Sequence, residues 1–119
     1  LLTLHSTVIY GAFMKSLFAI LCSLAISTST HAGALASNEA INVLHYYEGH
    51  VGVLIKQPTM IDPDKCGRTD WYILRNDHPL YKEMYAVVLA AHMANKPVHF
   101  YLEGCVQGIP SIRHAYINK

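Results

Sequence analysis

The sequence predicts a mainly β domain with one helix, in the order three strands, helix, two strands. Three observations carry this. Several short runs are rich in β-branched and aromatic residues with period-two alternation. One apolar stripe at helical spacing is bracketed by prolines. A single pair of cysteines falls within the part of the chain that carries these runs. The chain has 119 residues, 52% apolar and 14% charged, with nine Lys and Arg against eight Asp and Glu. That length suits one domain. The composition excludes a disordered chain, which would be charge-rich, and opposes a basic nucleic-acid binder.

The N-terminal third reads as a targeting segment. Residues 1–13 precede the first methionine and are expected to be an over-extended reading frame. Met14-Lys15 gives a start and a positive charge, Leu17 to Ile26 is apolar except for Ser23, and Ser27 to Ala32 is small and polar. This is the order of a secretory signal peptide over residues 14–32. Thr30-His31-Ala32 offers a cleavage site, and Ala34-Leu35-Ala36 a second. An uncleaved anchor would need about 20 apolar residues, and Lys15-Ser16 interrupts the run from Val8 to Ile26. Cys22 follows bulky Leu21, which opposes a lipoprotein site. Residues 33–119 then form the exported domain, secreted or periplasmic, with Cys66 and Cys105 as an even pair. In an oxidising compartment such a pair reads as a disulfide. It closes a loop of about 40 residues, worth about 4 kcal/mol in the chain-entropy model.

Within this domain the elements follow in order. Ile41 to Glu48 is the first strand, with Val43, His45 and Tyr47 alternating against Leu44, Tyr46 and Glu48. Gly49 and Gly52 mark a turn or bulge into Val51–Lys56, which Pro58 ends. Thr59 to Thr69 is a loop, and Trp71–Leu74 a short third strand. Asp77 or His78 can cap a helix over about 79–94, with Pro79 in its first turn. Leu80, Met84, Val87 and Ala91 form its core stripe, flanked by Tyr81, Tyr85, Val88 and His92. Asn95 suits the left-handed C-terminal position, and Pro97 forbids continuation. Val98, Phe100 and Leu102 point inward and His99, Tyr101 and Glu103 outward on the fourth strand, which Gly104, Gly108 and Pro110 break. Ile112–Ile117 is the last. The expected core is Val43, Val53, Ile55, Trp71, Phe100 and Leu102 with the helix stripe. This order fits the five-stranded oligonucleotide/oligosaccharide-binding (OB) barrel.

Cys66-Gly67 ahead of Trp71-Tyr72-Ile73-Leu74, the Pro79–Asn95 helix, Lys96-Pro97-Val98 and Gly104-Cys105 resemble a family of small exported bacterial proteins of mostly unknown function. The strand–helix–strand block is similar to the B subunits of subtilase cytotoxin and its pertussis-like relatives, which are pentameric OB-fold glycan binders. The resemblance covers about residues 40–118. It implies a binding module for a glycan or protein receptor that acts as a homo-oligomer, with helices lining the centre of a ring. Tyr85, Val88 and Leu89 would be the apolar flank used there.

Catalytic and metal chemistry find little support. His45 and His50 alone approach a metal-ligand spacing among His45, His50, His78, His92, His99 and His114, and a zinc site needs a third ligand. Both cysteines are claimed by the disulfide, Ser111 lacks a nucleophile-elbow context, and Glu48, Glu103, Asp70 and Asp77 read as solvated surface. No metal, cofactor or enzymatic activity is expected, a small hydrolase being the least favoured reading. In an OB barrel the first and fourth strands are neighbours, which would place Tyr46 and Glu48 beside His99, Tyr101 and Glu103. Aromatic rings with nearby carboxylates suit sugars. They equally suit a subunit interface or plain strand surface. The function expected is therefore a small exported binding module for glycans. The alternative is a structural or interaction protein of the cell envelope without a small ligand.

Overall fold

The computed structural model describes residues 32–118. The expected frame extension over residues 1–13, Cys22 and the expected leader up to His31 lie outside the described residues. Among the described residues seven strands and one helix follow in order: β1 (Ala34–Leu35), β2 (Glu39–Ala40), β3 (Val43–His45), β4 (Gly52–Lys56), β5 (Tyr72–Arg75), α1 (Tyr81–Met93), β6 (Pro97–Val106) and β7 (Ile109–Tyr116). The domain is mainly β with a single helix, as the residue pattern predicts. The sheet has the open order β1-β6-β7-β5-β4-β3, with β2 also on β6. Only β5 and β7 run parallel, meeting at Ile73 and Ser111; the other pairs are antiparallel.

The expected first strand, Ile41–Glu48, is reduced to Val43–His45. Its C-terminal half is drawn into a turn in which the Tyr47 carbonyl accepts the His50 N–H at 3.1 Å. Upstream, the chain adds two strands that the sequence reading left unassigned. Ala34 and Leu35 lie opposite Leu102 and Tyr101, and Glu39 and Ala40 lie opposite Val98 and Pro97. Between residues 40 and 43 the chain changes partner: the Asn42 N–H donates to the Lys56 carbonyl at 2.8 Å, and β3 then pairs with β4. Buried Gln57 ties the two regions together, its amide donating to the carbonyls of Glu39 and Val98, each at 2.9 Å.

Two expected core residues fall on the other face of the sheet. Leu44 lies opposite Ile55 and Val43 opposite Lys56, and directly opposed residues share a face. Ile55 belongs to the main core, so Leu44 packs there and Val43 does not. Tyr72 and Leu74 point into the same core, which sends Trp71 and Ile73 to the opposite side. There Trp71 packs against Leu54, Ile73 and Ile109. A one-residue error of parity moves every side chain across the sheet. Val53, Ile55, Phe100 and Leu102 are buried as expected.

The helix face is also rotated from its expected position. Met84, Val88 and Ala91 are its buried residues, Val87 is half-buried, and Leu80 is 54% exposed because it precedes the first helical residue. His78 organises the start: its Nδ1 accepts the Leu80 N–H at 3.0 Å, and its carbonyl accepts the Tyr81 N–H at 3.0 Å. At the other end Asn95 has φ 52°. The Asn95 N–H reaches the His92 carbonyl and the Lys96 N–H the Ala91 carbonyl, a Schellman closure.

The β6–β7 hairpin is longer than expected. Gly104 (φ 78°) does not end β6 but allows a bulge. Gln107 and Gly108, both at positive φ, make the two-residue turn, with φ 51° and 73°. Pro110 therefore sits inside β7 opposite Cys105. The Cys66–Cys105 disulfide is formed, with a Cα–Cα distance of 5.6 Å, and fastens the loop between β4 and β5 to the β6 bulge. Among the described residues no helix is long and apolar enough to cross a membrane.

Candidate functional site

The alternation that buries Val98, Phe100 and Leu102 turns His99, Tyr101 and Glu103 to the outer face of β6. The two-residue turn then sets their neighbours on β7. His99 lies opposite Tyr116 and Tyr101 opposite His114. The Tyr101 and His114 rings stack with centroids 5.5 Å apart, while Tyr116 lies 6.3 Å from both His99 and His114. Four rings thus make one patch, with His114 and Tyr116 the more exposed.

A bulge shapes the end of this patch. The register passes from Tyr101↔His114 to Leu102↔Ile112, which leaves Arg113 without a partner in the ladder. Bulges bend a strand and re-aim a side chain. Here the Arg113 guanidinium turns to Glu103, Nη1 to Oε2 at 2.9 Å. Its carbonyl pairs with His78 Nε2 at 3.0 Å. Because His78 Nδ1 accepts from Leu80, its Nε2 carries the proton and donates.

Beside the patch lies a cleft of about 430 Å³, walled by Arg75, Asp77 and His78 from the β5–α1 turn and by Glu103, Arg113 and His114 from the hairpin. Asp77 Oδ1 accepts from Arg75 Nε at 2.7 Å. That hydrogen bond holds the Asp77 carboxyl below the usual carboxylate range and raises the guanidinium of Arg75. The cleft therefore offers two ion pairs and two histidine rings, next to a wall of rings.

The five residues singled out from sequence separate into two groups. His99, Tyr101 and Glu103 belong to this face. Tyr46 and Glu48 do not, because residues 34–40 occupy the edge of β6 that residues 46–48 were expected to reach. Tyr46 and Glu48 line a shallower hollow of about 310 Å³ with Tyr47, His50, Asn76 and Tyr81. There the hydroxyls of Tyr46 and Tyr85 are 2.9 Å apart, and Tyr85 stacks on Tyr81. The hydrogen bond with Tyr85, followed by burial, pushes the Tyr46 phenol up to about 12. Arg75, Arg113, His114 and Tyr116 are site residues that the sequence reading missed. The adjacent polar pair Arg113-His114 in an otherwise alternating strand is the trace of the bulge.

The remaining candidates have structural employment. Trp71 contacts the His45 ring, with centroids 4.6 Å apart, and the Lys56 ammonium, 4.3 Å from the Trp71 centroid, while it packs on the small second core. Asp70 is clamped by Arg68 at 2.6 and 2.7 Å, and that contact lowers its carboxyl. Ser111 is buried in β7. Among the described residues no group of three or more His, Cys, Asp or Glu could hold a metal ion. No family model, no curated protein and no solved structure matches the chain.

Proposed function

We propose that this chain is a small exported binding module that holds a glycan across the β6–β7 face and the adjoining cleft. The observation that carries the reading is the joining of four outward rings, His99, Tyr101, His114 and Tyr116, to a cleft of paired charges. The C–H faces of a sugar stack on such rings. Its hydroxyls bridge a carboxylate and a guanidinium, and the Glu103–Arg113 and Arg75–Asp77 pairs present both. Every charged group there already has its partner, so a neutral, hydroxyl-rich ligand binds without stranding a charge. The bonded cysteine pair supports export to an oxidising compartment.

The same reading takes the sheet as an OB barrel. Residues 34–45 supply the strands at both ends of the open order, β1 and β2 beside β6 and β3 beside β4. Counted as one bent strand, they give five strands with the helix between the third and fourth. The parallel β5–β7 pair fits that topology, as does the similarity to toxin B subunits.

A glycan array on the oxidised, processed protein tests the site. A bound glycan whose affinity falls at least tenfold in Tyr101→Ala and Arg113→Ala, and stays unchanged in Tyr46→Ala, supports it. Absence of any bound glycan at millimolar concentration refutes it, as does binding that neither variant alters. A second reading, a subunit or envelope-protein contact, rests on the outer helix face. Of the expected flank Tyr85, Val88 and Leu89, Val88 is buried in the core and Tyr85 stacks on Tyr81, so the exposed apolar stripe is Ala86, Leu89, Ala90 and Met93, with Leu89 at 37% and Met93 at 78%. Light scattering that shows a homo-oligomer, a pentamer in the toxin-like form, supports that use of the helix; the mass of a single chain at high concentration excludes it.

A further inference from the structure

The sequence offers two places where a leader could be removed, after Ala32 and after Ala36, and the fold treats them differently. Ala36 is 2% exposed in the main core, and its N–H donates to the Phe100 carbonyl at 2.8 Å. Just before it, Ala34 and Leu35 pair with Leu102 and Tyr101. Cutting after Ala36 would remove this strand and strip the edge of β6 beside two core residues. Ala32, by contrast, is exposed and belongs to no strand.

The next residue is fitted to its place. A Cβ on Gly33 would stand 2.3 Å from the Tyr101 hydroxyl and 2.9 Å from the Leu102 carbonyl, so only glycine fits. Beside it stands a carboxylate. Asp64 Oδ1 accepts the Ala32 N–H at 2.7 Å, and Oδ2 accepts the Gly104 N–H at 2.6 Å. Asp64 is held in this position by the loop that the Cys66–Cys105 disulfide fastens to β6.

We propose that Ala32–Gly33 is the processing bond and that Asp64 receives the α-ammonium which cleavage creates on Gly33. This rests on the export reading, which supplies the leader peptidase, an endopeptidase cutting after small residues. Water adds to the Ala32 carbonyl carbon, the C–N bond breaks, Ala32 departs as a carboxylate, and the Gly33 nitrogen leaves protonated. That nitrogen lies one residue along the chain from the amide that Asp64 binds in the unprocessed chain. A charge-assisted bond from the ammonium replaces one from a neutral amide. It pins the short β1 to β6, where a free terminus would otherwise fray.

The full chain, produced with its leader in a secreting bacterial host, is read by intact mass and N-terminal sequencing. A mature form beginning at Gly33 is expected, and one beginning at Ser37 overturns the assignment. A product that keeps its leader, or that never leaves the cytoplasm, overturns the export reading and this inference with it. Capture of the ammonium is read from the NMR titration of the Gly33 Cα resonance beside the unmodified α-amine, in the wild type and in Asp64→Asn. Asn keeps an acceptor for Gly104. The wild-type midpoint is expected to lie about one pH unit above that of the variant. Equal midpoints overturn the capture. So does a wild-type midpoint at or below the ordinary α-amino range of about 7.7–8.0, whether or not the variant folds.

Discussion

Opening the Cys66–Cys105 bond, by reductant or by Cys105→Ser, should remove a large part of the stability of this domain. The bond spans a sequence separation of 39. A loop of that size costs the unfolded chain about 13 cal/mol/K, or about 4 kcal/mol at 25 °C. A domain of about 90 residues has about 4–13 kcal/mol in all, so the reduced protein stands near the edge of folding. The native loop does not depend on the bond alone. The Asp62 carboxylate accepts the N–H groups of Cys66 and Gly67 at 2.7 and 2.9 Å, and the Tyr72 hydroxyl accepts the Ile61 N–H at 2.9 Å. The reduced native state therefore keeps its shape, and the loss acts through the unfolded state. Cys105 is exposed, so reductant reaches it without unfolding. Urea titration followed by the fluorescence of Trp71, the only tryptophan, should show the midpoint falling by about 3–4 M at an m-value near 1 kcal/mol/M. A loss below about 1 kcal/mol, in both the reduced protein and the serine variant, would refute the reasoning.

Three further outcomes follow from the packing. Val88→Ala should cost about 2 kcal/mol in urea titration and Val87→Ala less than half of that; equal costs would restore the helix face read from sequence. Gly52→Ala should cost about 3 kcal/mol or prevent folding, since its Cβ would lie 2.0 Å from the Leu74 carbonyl oxygen, whereas Gly49→Ala, with open space around it, should be nearly neutral; a tolerated Gly52→Ala would contradict the β4–β5 approach. The Tyr46 phenol, raised from 10 to about 12 by its hydrogen bond with Tyr85, keeps its proton in the folded state over a range where the unfolded chain has lost it. Its contribution is therefore complete below pH 10 and disappears as pH rises through 12. Denaturation at pH 9 and 11.5 should show a loss that Tyr46→Phe lacks, and parallel losses would exclude the coupling.

Much of the fold was legible because its punctuation is local. Asn95 and Pro97 end the helix, and β6 alternates cleanly from Val98 to Glu103, although the helix is capped at Leu80 and not at Asp77 or His78. What was not legible depended on a choice between equivalent faces. Leu80-Met84-Val87-Ala91 and the observed Met84-Val88-Ala91 differ by a small rotation of the helix, and both are apolar; the sheet beneath selects one. Val43 and Leu44 are equally good strand residues, and only the pairing of Leu44 with Ile55 decides which is buried. The two-residue strands β1 and β2 carry no period at all. They exist because β6 has an edge to cover, and Ala34 to Ala36 read more readily as a second cleavage site.

The same cause divided the expected site. Placing Tyr46 and Glu48 beside His99, Tyr101 and Glu103 assumed that one straight strand, residues 41–48, flanks β6. The neighbour of β6 is instead the stretch from 34 to 40, so Tyr46 is carried to the hollow by α1. The partners that do join Tyr101 come from β7, through a hairpin whose two-residue Gln107-Gly108 turn makes His114 and Tyr116 deducible once it is recognised. Arg113 is different in kind. A strictly alternating strand would place Arg113 and His114 on opposite faces, yet both are exposed. The extra residue breaks the period that makes strands readable, and by breaking it frees the Arg113 carbonyl for His78 and its guanidinium for Glu103. The feature that joins the ring patch to the cleft is thus the one irregularity that a search for periodicity passes over.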